Sequence, residues 1–436
     1  MQATHLTEAP REIVVDSHYD VVVCGAGPAG VAAAITAARA GARTCLVEHQ
    51  GCLGGVWTSG LLSYILDARA KPGFMLELRE RLRARGALAE RRDLYDAEEM
   101  KLLLEELCSE AGVEVRLYSK LCDARVENGE ITHVVIEAKE GRFALSARRF
   151  VDATGDGDLA ARAGCGFDLG RPSDRLTQPM TLMVLVAGVP ESVRSNDYNS
   201  PLGGSCIKKD YFREKLSGAG FSPSYSMPSI FALPNGLCGM MLNHAYEVSG
   251  LNSRDLTKAT LQTRREVHLA VRAMRKFGPD WANVHLVATA AHIGVREGRR
   301  IHARYHVTLD DVLNGARHDD AVVRVSFPID VHSLRKSDGG GYGGGGVDRP
   351  AQPYDIPVRA LIAKDVDNLL LAGRCIGGDF YAHASYRVTG NAVPTGEAAG
   401  LMAALSAQRD LAPHELPGAE FIRELETIRA RAAAVA

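Results

Sequence analysis

Gly25, Gly27 and Gly30 stand in the spacing GxGxxG, with Ala26, Pro28 and Ala29 between them. Binding phosphate is the chemistry that needs such a stretch. The first glycine permits a tight turn, the second lets backbone approach a pyrophosphate, and the third lets a helix pack closely on a strand. Unpaired N–H groups at the helix start, together with its dipole, favour the anion. Glu48 lies 23 positions beyond Gly25 (48 − 25), where a carboxylate can accept hydrogen bonds from ribose hydroxyls. Alone the glycine pattern is weak. Strand, turn, helix and acid in this order read as a dinucleotide site.

The same turn serves nicotinamide and flavin dinucleotides, and three later stretches favour the flavin. Residues 51–60 (GCLGGVWTSG) follow the second strand directly, and their Gly54-Gly55 pair can pass close to a pyrophosphate and ribityl chain. Residues 151–158 (VDATGDGD) form a strand that ends in a small-residue turn at Gly155 and Asp156. Residues 370–374 (LLAGR), with Gly373 and Arg374, lead to residues 390–400 (GNAVPTGEAAG), read as a loop entering a helix through Pro394. The start of that helix, at Asn391, Ala392 and Val393, is expected to face a flavin ring and to stabilise negative charge on its reduced form. The expected cofactor is FAD, held without a covalent bond. Cys52 and Cys375 lie in these stretches, but a buried inert thiol is the ordinary role.

Oxidation through a flavin asks the protein for geometry and a proton acceptor, because the cofactor takes the hydride. Histidine is the natural base near neutral pH. His332 lies in the run PIDVH and His383 just before the expected flavin-facing loop; both are candidate bases. Arg387 can hold a carboxylate or support a reduced flavin, and Tyr386 and Tyr381 are secondary candidates. His49 is expected to be exposed. The charge run Arg296-Glu297-Gly298-Arg299-Arg300 reads as a solvated helix face.

These residues need elements to position them. Residues 19–24 (YDVVVC) read as a buried parallel strand, 28–41 as an Ala-rich helix with Pro near its first turn, and 44–48 as the next strand. Residues 96–111 are an amphipathic helix with an acidic first turn, and 113–117 a strand. Residues 121–147 alternate in short runs broken at Asn128-Gly129 and Glu140-Gly141, which predicts a three-stranded meander, with a return to the parallel sheet at 150–153. From about 171 the texture changes to Pro, Gly, Ser and Met, with a long helix over 255–277 that Ser253 is expected to cap. Residues 337–350 are glycine-rich; Gly341 to Gly346 match GxGxxG there but follow no apolar strand, and read as a lid or loop. A strand over 368–372 and a helix over 393–407 complete the series. The expected fold class is α/β. A Rossmann-type FAD domain spans 16–170 and 350–409, an inserted α+β cap spans 171–349, and a helical tail spans 410–436.

At this point the sequence resembles bacterial FAD-dependent oxidoreductases related to the fumarate reductase and glucose-inhibited division protein A flavoproteins, in the glutathione-reductase-like superfamily. The resemblance runs from about Tyr19 to Leu405. It rests on Glu48 with Leu53-Gly54-Gly55, on Asp152 to Asp158, on Arg296-Glu297 with Arg299-Arg300-Ile301, and on Pro328 to His332. It continues through Ile356 to Arg359, Asn368 to Ile376, Ser385 to Val388 and Gly396 to Gly400. It implies FAD, and for the 296–300 run a structural or FAD-contacting role. Residues 377–384 (GGDFYAHA) depart from the family's pattern, so no substrate is inherited.

Whole-chain features narrow the function. The net charge is −2, which argues against nucleic acid and anionic membranes as partners. The first ten residues lack a secretory pattern, no apolar stretch reaches the roughly 20 residues of a membrane span, and the nine cysteines form no CxxC. A reducing, cytoplasmic setting with no metal site is expected. No dithiol follows Gly54-Gly55 as a disulfide reductase would need, and no halogenase tryptophan motif occurs. The expected activity is oxidation of a small polar substrate by hydride transfer to FAD, with oxygen or a separate acceptor taking the electrons. The rivals are an NAD(P)H-dependent flavin monooxygenase and a non-catalytic FAD-containing partner or RNA-modification factor. A homo-oligomer stays open.

Overall fold

The computed structural model describes residues 6–89, 93–191 and 209–435; Cys206 lies outside the described residues. Strand β1 (Val14–Cys24) and strand β2 (Thr44–Val47) pair in parallel and are joined by helix α1 (Pro28–Arg39). Val21, Val22 and Val23 are wholly buried, as in a strand covered on both faces. The first residues of β1 are polar or exposed, so the apolar pattern reveals only the strand's inner half.

After helix α2 (Phe74–Ala84) comes helix α3 (Ala97–Ala111), whose first turn is capped by Asp96 accepting from the Glu98 N–H at 2.9 Å. Strand β3 (Glu114–Arg116) adds to β2 in parallel. Strands β4 (Lys120–Glu127), β5 (Glu130–Ala138) and β6 (Gly141–Asp152) form the meander, turning at the two expected glycines. The meander's third strand and the expected return strand are one. β6 bonds β5 antiparallel along its first half and β1 in parallel along its length. Its last three residues also pair in parallel with the Leu369–Leu371 strand. Arg148 and Arg149 interrupt the apolar pattern of β6 without interrupting its backbone pairing, which is why the sequence splits it. The result is a mixed α/β fold with a parallel sheet at its centre.

The helix Thr389–Arg409 lies directly on α1. A Cβ built on Gly396 would sit 2.0 Å from the Ala29 carbonyl oxygen, and one on Gly400 2.1 Å from that of Ala33. The two backbones therefore touch, and only glycine fits the crossing. This helix begins at Thr389 rather than at Pro394, because Asn391 and Ala392 N–H donate to the Val388 carbonyl at 3.0 and 3.2 Å. Pro394 lies inside the helix and removes one N–H from its ladder. The tail helix Gly418–Val435 is anchored by Arg429, whose Nε donates to Glu397 Oε2 at 2.6 Å.

A second sheet is antiparallel, in the order His285–Thr289, Val184–Ala187, Cys238–Met241, Ser229–Ala232. The long helix Ser253–Met274 accompanies it and is capped by Asn252, whose side chain accepts from Arg254 and Asp255 N–H; Ser253 is the first helical residue instead of the cap. Val184, Phe212, Ile230, Met240, Val267 and Met274 form an apolar cluster of their own. A smaller cluster ties Leu61, Leu94 and Ala97 at the start of α3 to Met180, Leu182 and Ala245 beside the second sheet. The glycine-rich segment contributes a short strand, Tyr342–Gly343, paired with Val331–His332. Among the described residues no helix is long and apolar enough to cross a membrane, and no cluster of metal-ligating side chains occurs.

Candidate active site

A cavity of about 1150 Å³ runs from the glycine turn after β1 to the strand carrying His332. It exceeds the roughly 300–1,000 Å³ of a usual small-ligand pocket, so it has room for a dinucleotide and a second molecule.

One end is made of backbone. Gly25, Gly27, Pro28, Ala29 and Gly55 line it. A Cβ built on Gly30 would meet the Gly25 carbonyl oxygen at 1.7 Å, so Gly30 closes strand on helix and does not line the cavity. A Cβ on Gly27 would meet nothing within 4 Å, leaving that space free for a ligand. Gly27 caps α1 without a side-chain bond, and the first turn holds no acid. Its N–H groups are thus free for an anion. Glu48, buried at the end of β2, accepts from Ala26 N–H and Gln50 N–H, both at 2.8 Å. Burial opposes its ionisation, but bonds from the half-exposed His49, Gln50 and Ala26 outweigh it and hold the carboxyl below its usual range. A carboxylate has about four acceptor sites, and with Ala26, Gln50 and His49 on three of them one stays open for a ribose hydroxyl. These residues fit the adenosine and pyrophosphate of FAD.

The middle of the cavity carries Gly155, Asp156, Gly373 and Arg374, with Asp156 and Arg374 paired at 3.0 Å. Val388, Thr389 and Ala392, at the start of the Thr389–Arg409 helix, also line it. Gly54 supports the wall from behind through its N–H to the Ala26 carbonyl at 2.7 Å. Asn391 and Val393 are buried beside the wall without lining it.

The other end is made of side chains. His332 and Asp330 line it together with Arg296, Arg387, Tyr225 and Lys209. His332 Nδ1 lies 2.8 Å from His244 Nε2, and its Nε2 lies 3.3 Å from Asp330 Oδ2. Arg387 donates to the Asp330 carboxylate at 3.0 Å and to its carbonyl at 2.9 Å. His244 Nδ1 reaches the Asn243 carbonyl at 2.6 Å and Thr181 Oγ1 at 3.1 Å, and its ring stacks on Tyr225 at 4.2 Å. Burial, then the charge of Arg296, pushes the His332 imidazole down to about 3. The same two causes hold His244 well below its ordinary value. Burial resists ionisation of Asp330 too, but with His332 neutral the charges of Arg387 and Arg296 still keep the acid ionised.

Not every residue singled out in the sequence reaches this space. His383 is fully buried behind the wall and does not line the cavity. Tyr386 is buried beside it, donating to the Ile376 carbonyl at 3.1 Å. Tyr381 is partly buried and lies off the lining as well. The run 296–300 is no solvated helix face. It is largely buried, with Glu297 and Arg300 paired at 2.6 Å and Arg299 donating to the Asp156 carbonyl at 2.9 Å. His244, Tyr225 and Thr181 carry no motif; only their convergence marks them.

A dinucleotide cradle whose cavity continues into a chamber of ionisable side chains is the arrangement of a flavoenzyme. Residues 20–425 match the FAD dependent oxidoreductase family, and the chain belongs to it. Among curated relatives, digeranylgeranylglycerophospholipid reductase from Methanocella arvoryzae is 30% identical over 161 residues, 32% of this chain and 40% of the relative. Thiamine thiazole synthase from Aeropyrum pernix is 33% identical over 175 residues, 35% of this chain and 63% of the relative. The chain therefore matches less than two thirds of either relative's length. Among solved structures, a p-nitrophenol 4-monooxygenase from Pseudomonas putida has a TM-score of 0.49 at 12% identity, covering 96% of this chain and 89% of that one. A flavin-dependent brominase has the same TM-score and identity, covering 94% and 84%.

Proposed function

We propose that the protein is a dehydrogenase or oxidase that removes a hydride and a proton from a small polar substrate bound beside His332. In this reading residues 16–170 and 350–409 form the FAD domain, 171–349 the cap over it, and 410–436 the tail, in the glutathione-reductase-like superfamily near the fumarate reductase and glucose-inhibited division protein A flavoproteins. FAD, when bound, supplies the hydride acceptor. Gly27, the start of α1 and Glu48 hold its phosphates and ribose; the start of the Thr389–Arg409 helix favours negative charge on the ring.

The observation that carries the reading is a missing proton. A carbonyl only accepts, so the 2.6 Å contact to Asn243 assigns a proton to His244 Nδ1. In the neutral ring Nε2 is then an acceptor, and the 2.8 Å contact makes His332 Nδ1 the donor. That leaves His332 Nε2 unprotonated, 3.3 Å from the ionised Asp330 Oδ2. Two acceptors at this distance repel until a proton lies between them. The pair is one proton short, and a substrate that loses a proton supplies it. Asp330 then stabilises the imidazolium, and Arg387 holds Asp330 in place.

The test is anaerobic mixing of the holoprotein with a panel of small alcohols, amines and hydroxy acids. A donor that bleaches the oxidised flavin band is the expected result. Bleaching by NADPH alone, with no donor effective, would overturn the reading in favour of a monooxygenase.

A further inference from the structure

The acids that line the cavity are unevenly shared. Glu48, Asp156 and Asp158 stand toward the glycine turn, where Asp156 meets Arg374 and Asp158 meets Arg299, at 3.0 Å in each case. At the opposite end Asp330 faces Arg296, Arg387 and Lys209. Arg387 and His332 already engage it.

Among the described residues Arg296 and Lys209 are left without a carboxylate; Lys209 donates to Tyr342 Oη at 3.3 Å and lies over its ring, which leaves Arg296 as the free fork. Its Nη1 donates to the Pro179 carbonyl at 2.7 Å and to Thr181 Oγ1 at 2.8 Å; its Nη2 reaches Met241 Sδ at 3.7 Å, a weak acceptor. Among the described residues no carboxylate lies within ion-pair distance of this guanidinium. It sits deep in the molecule with its accessible surface on the cavity. A charge taken out of water is costly unless an opposite charge meets it, and the guanidinium fork matches the plane of a carboxylate. Phe231, Met241 and Val295 line the same cavity, so the space near the cation is walled by apolar and aromatic surface.

We infer that the substrate carries a carboxylate, seated on Arg296, with an apolar or aromatic body against Phe231 and Met241. This rests on the proposed function only in taking the His332 end as the substrate end. The seat also explains why a base can sit beside two arginines. A carboxylate on Arg296 cancels a positive field that disfavours a proton on His332, so arrival of the correct substrate makes its own proton easier to take. An uncharged analogue of the same shape leaves that field in place and gains less from the base.

The experiment reads binding without turnover. Holoprotein is titrated with acetate, propionate and phenylacetate, and with acetamide, propionamide and phenylacetamide, following the oxidised flavin spectrum. The carboxylates should perturb it saturably and bind at least tenfold more tightly than their amides, with phenylacetate tightest. Arg296→Gln should abolish the preference at unchanged FAD content, and Arg296→Lys should keep part of it. Equal binding of acids and amides, no spectral change with any acid, or a full preference in FAD-loaded Arg296→Gln would each overturn the proposal. The wild-type series decides the matter even where the glutamine variant does not fold. A protein that prefers carboxylates but is bleached by no donor retains the seat and loses the dehydrogenase reading.

Discussion

The two ends of the cavity are built from different materials. At the glycine turn, backbone N–H groups and the absence of side chains shape the space, within one short stretch from Gly25 to Gly30 plus Glu48. At the His332 end, side chains do so, and they arrive from positions as far apart as Thr181, Tyr225, Arg296 and Arg387. Backbone recognition requires consecutive residues, so it leaves a motif. Side-chain recognition requires only that the fold bring groups together, so it leaves none. A cofactor shared by many enzymes suits the first solution, and a substrate particular to one enzyme suits the second.

The sharpest break in this division comes from His332→Asn. Flavin reduction by a true donor should slow about 10²- to 10⁴-fold, the usual worth of general-base assistance, while FAD stays bound and reoxidation keeps its rate. Rapid mixing separates the two half-reactions; wild-type reduction in the mutant would leave the side-chain end without its base. Next in size is a pair of glycine variants. Gly30→Ala forces a Cβ to 1.7 Å from the Gly25 carbonyl oxygen and should destabilise even the apoprotein, by about 1–3 kcal/mol for overpacking. Gly27→Ala should leave apoprotein melting unchanged and weaken FAD binding alone, because its Cβ enters ligand space. If both variants melt alike, the turn is structural throughout.

Glu48→Ala should lower FAD affinity at least tenfold, since a hydrogen bond to a charged group is worth about 1.5–3 kcal/mol; equilibrium dialysis of the folded mutant measures it. Unchanged affinity would remove Glu48 from the ribose site. The remaining effect is on acid stability. The folded protein keeps His332 and His244 unprotonated, so at any pH between their lowered values and about 6.5 the unfolded chain binds more protons. Their contribution to stability is whole above about pH 6.5 and falls as the pH drops toward about 3 for His332, at up to about 1.4 kcal/mol per pH unit for each proton. Urea melts at pH 7.5, 6 and 5 should show this slope, and it should flatten in the double variant His244→Asn, His332→Asn.

Legibility followed the same division. The buried half of β1, the Ala-rich α1, the meander turns and Glu48 could all be read from local pattern, because each obeys a short-range rule. Pro394 misled because proline usually marks a helix start, whereas here buried packing on α1 holds a helix that begins earlier. The cap at Asn252 was off by one residue, since serine and asparagine are near-equal caps. The run 296–300 reads as a solvated face in a linear view; the local pair of Glu297 with Arg300, completed by long-range bonds to Gln178, Gly170 and Gly378, is what allows it inside. His244 and Tyr225 gave no signal, and Arg296 drew notice only as part of that run.

Strand β6 sets a schedule for the newborn chain. Its far end takes its last neighbour, Leu369–Leu371, from a segment made 219 residues later (371 − 152). At roughly 5–20 residues per second on the ribosome, that is a wait of about 10–40 s. Throughout it, Phe150 to Asp152 present a bare row of N–H and C=O groups on one side, ready to be claimed by any stray strand. The central sheet is thus sealed only once Leu369 to Leu371 have been made.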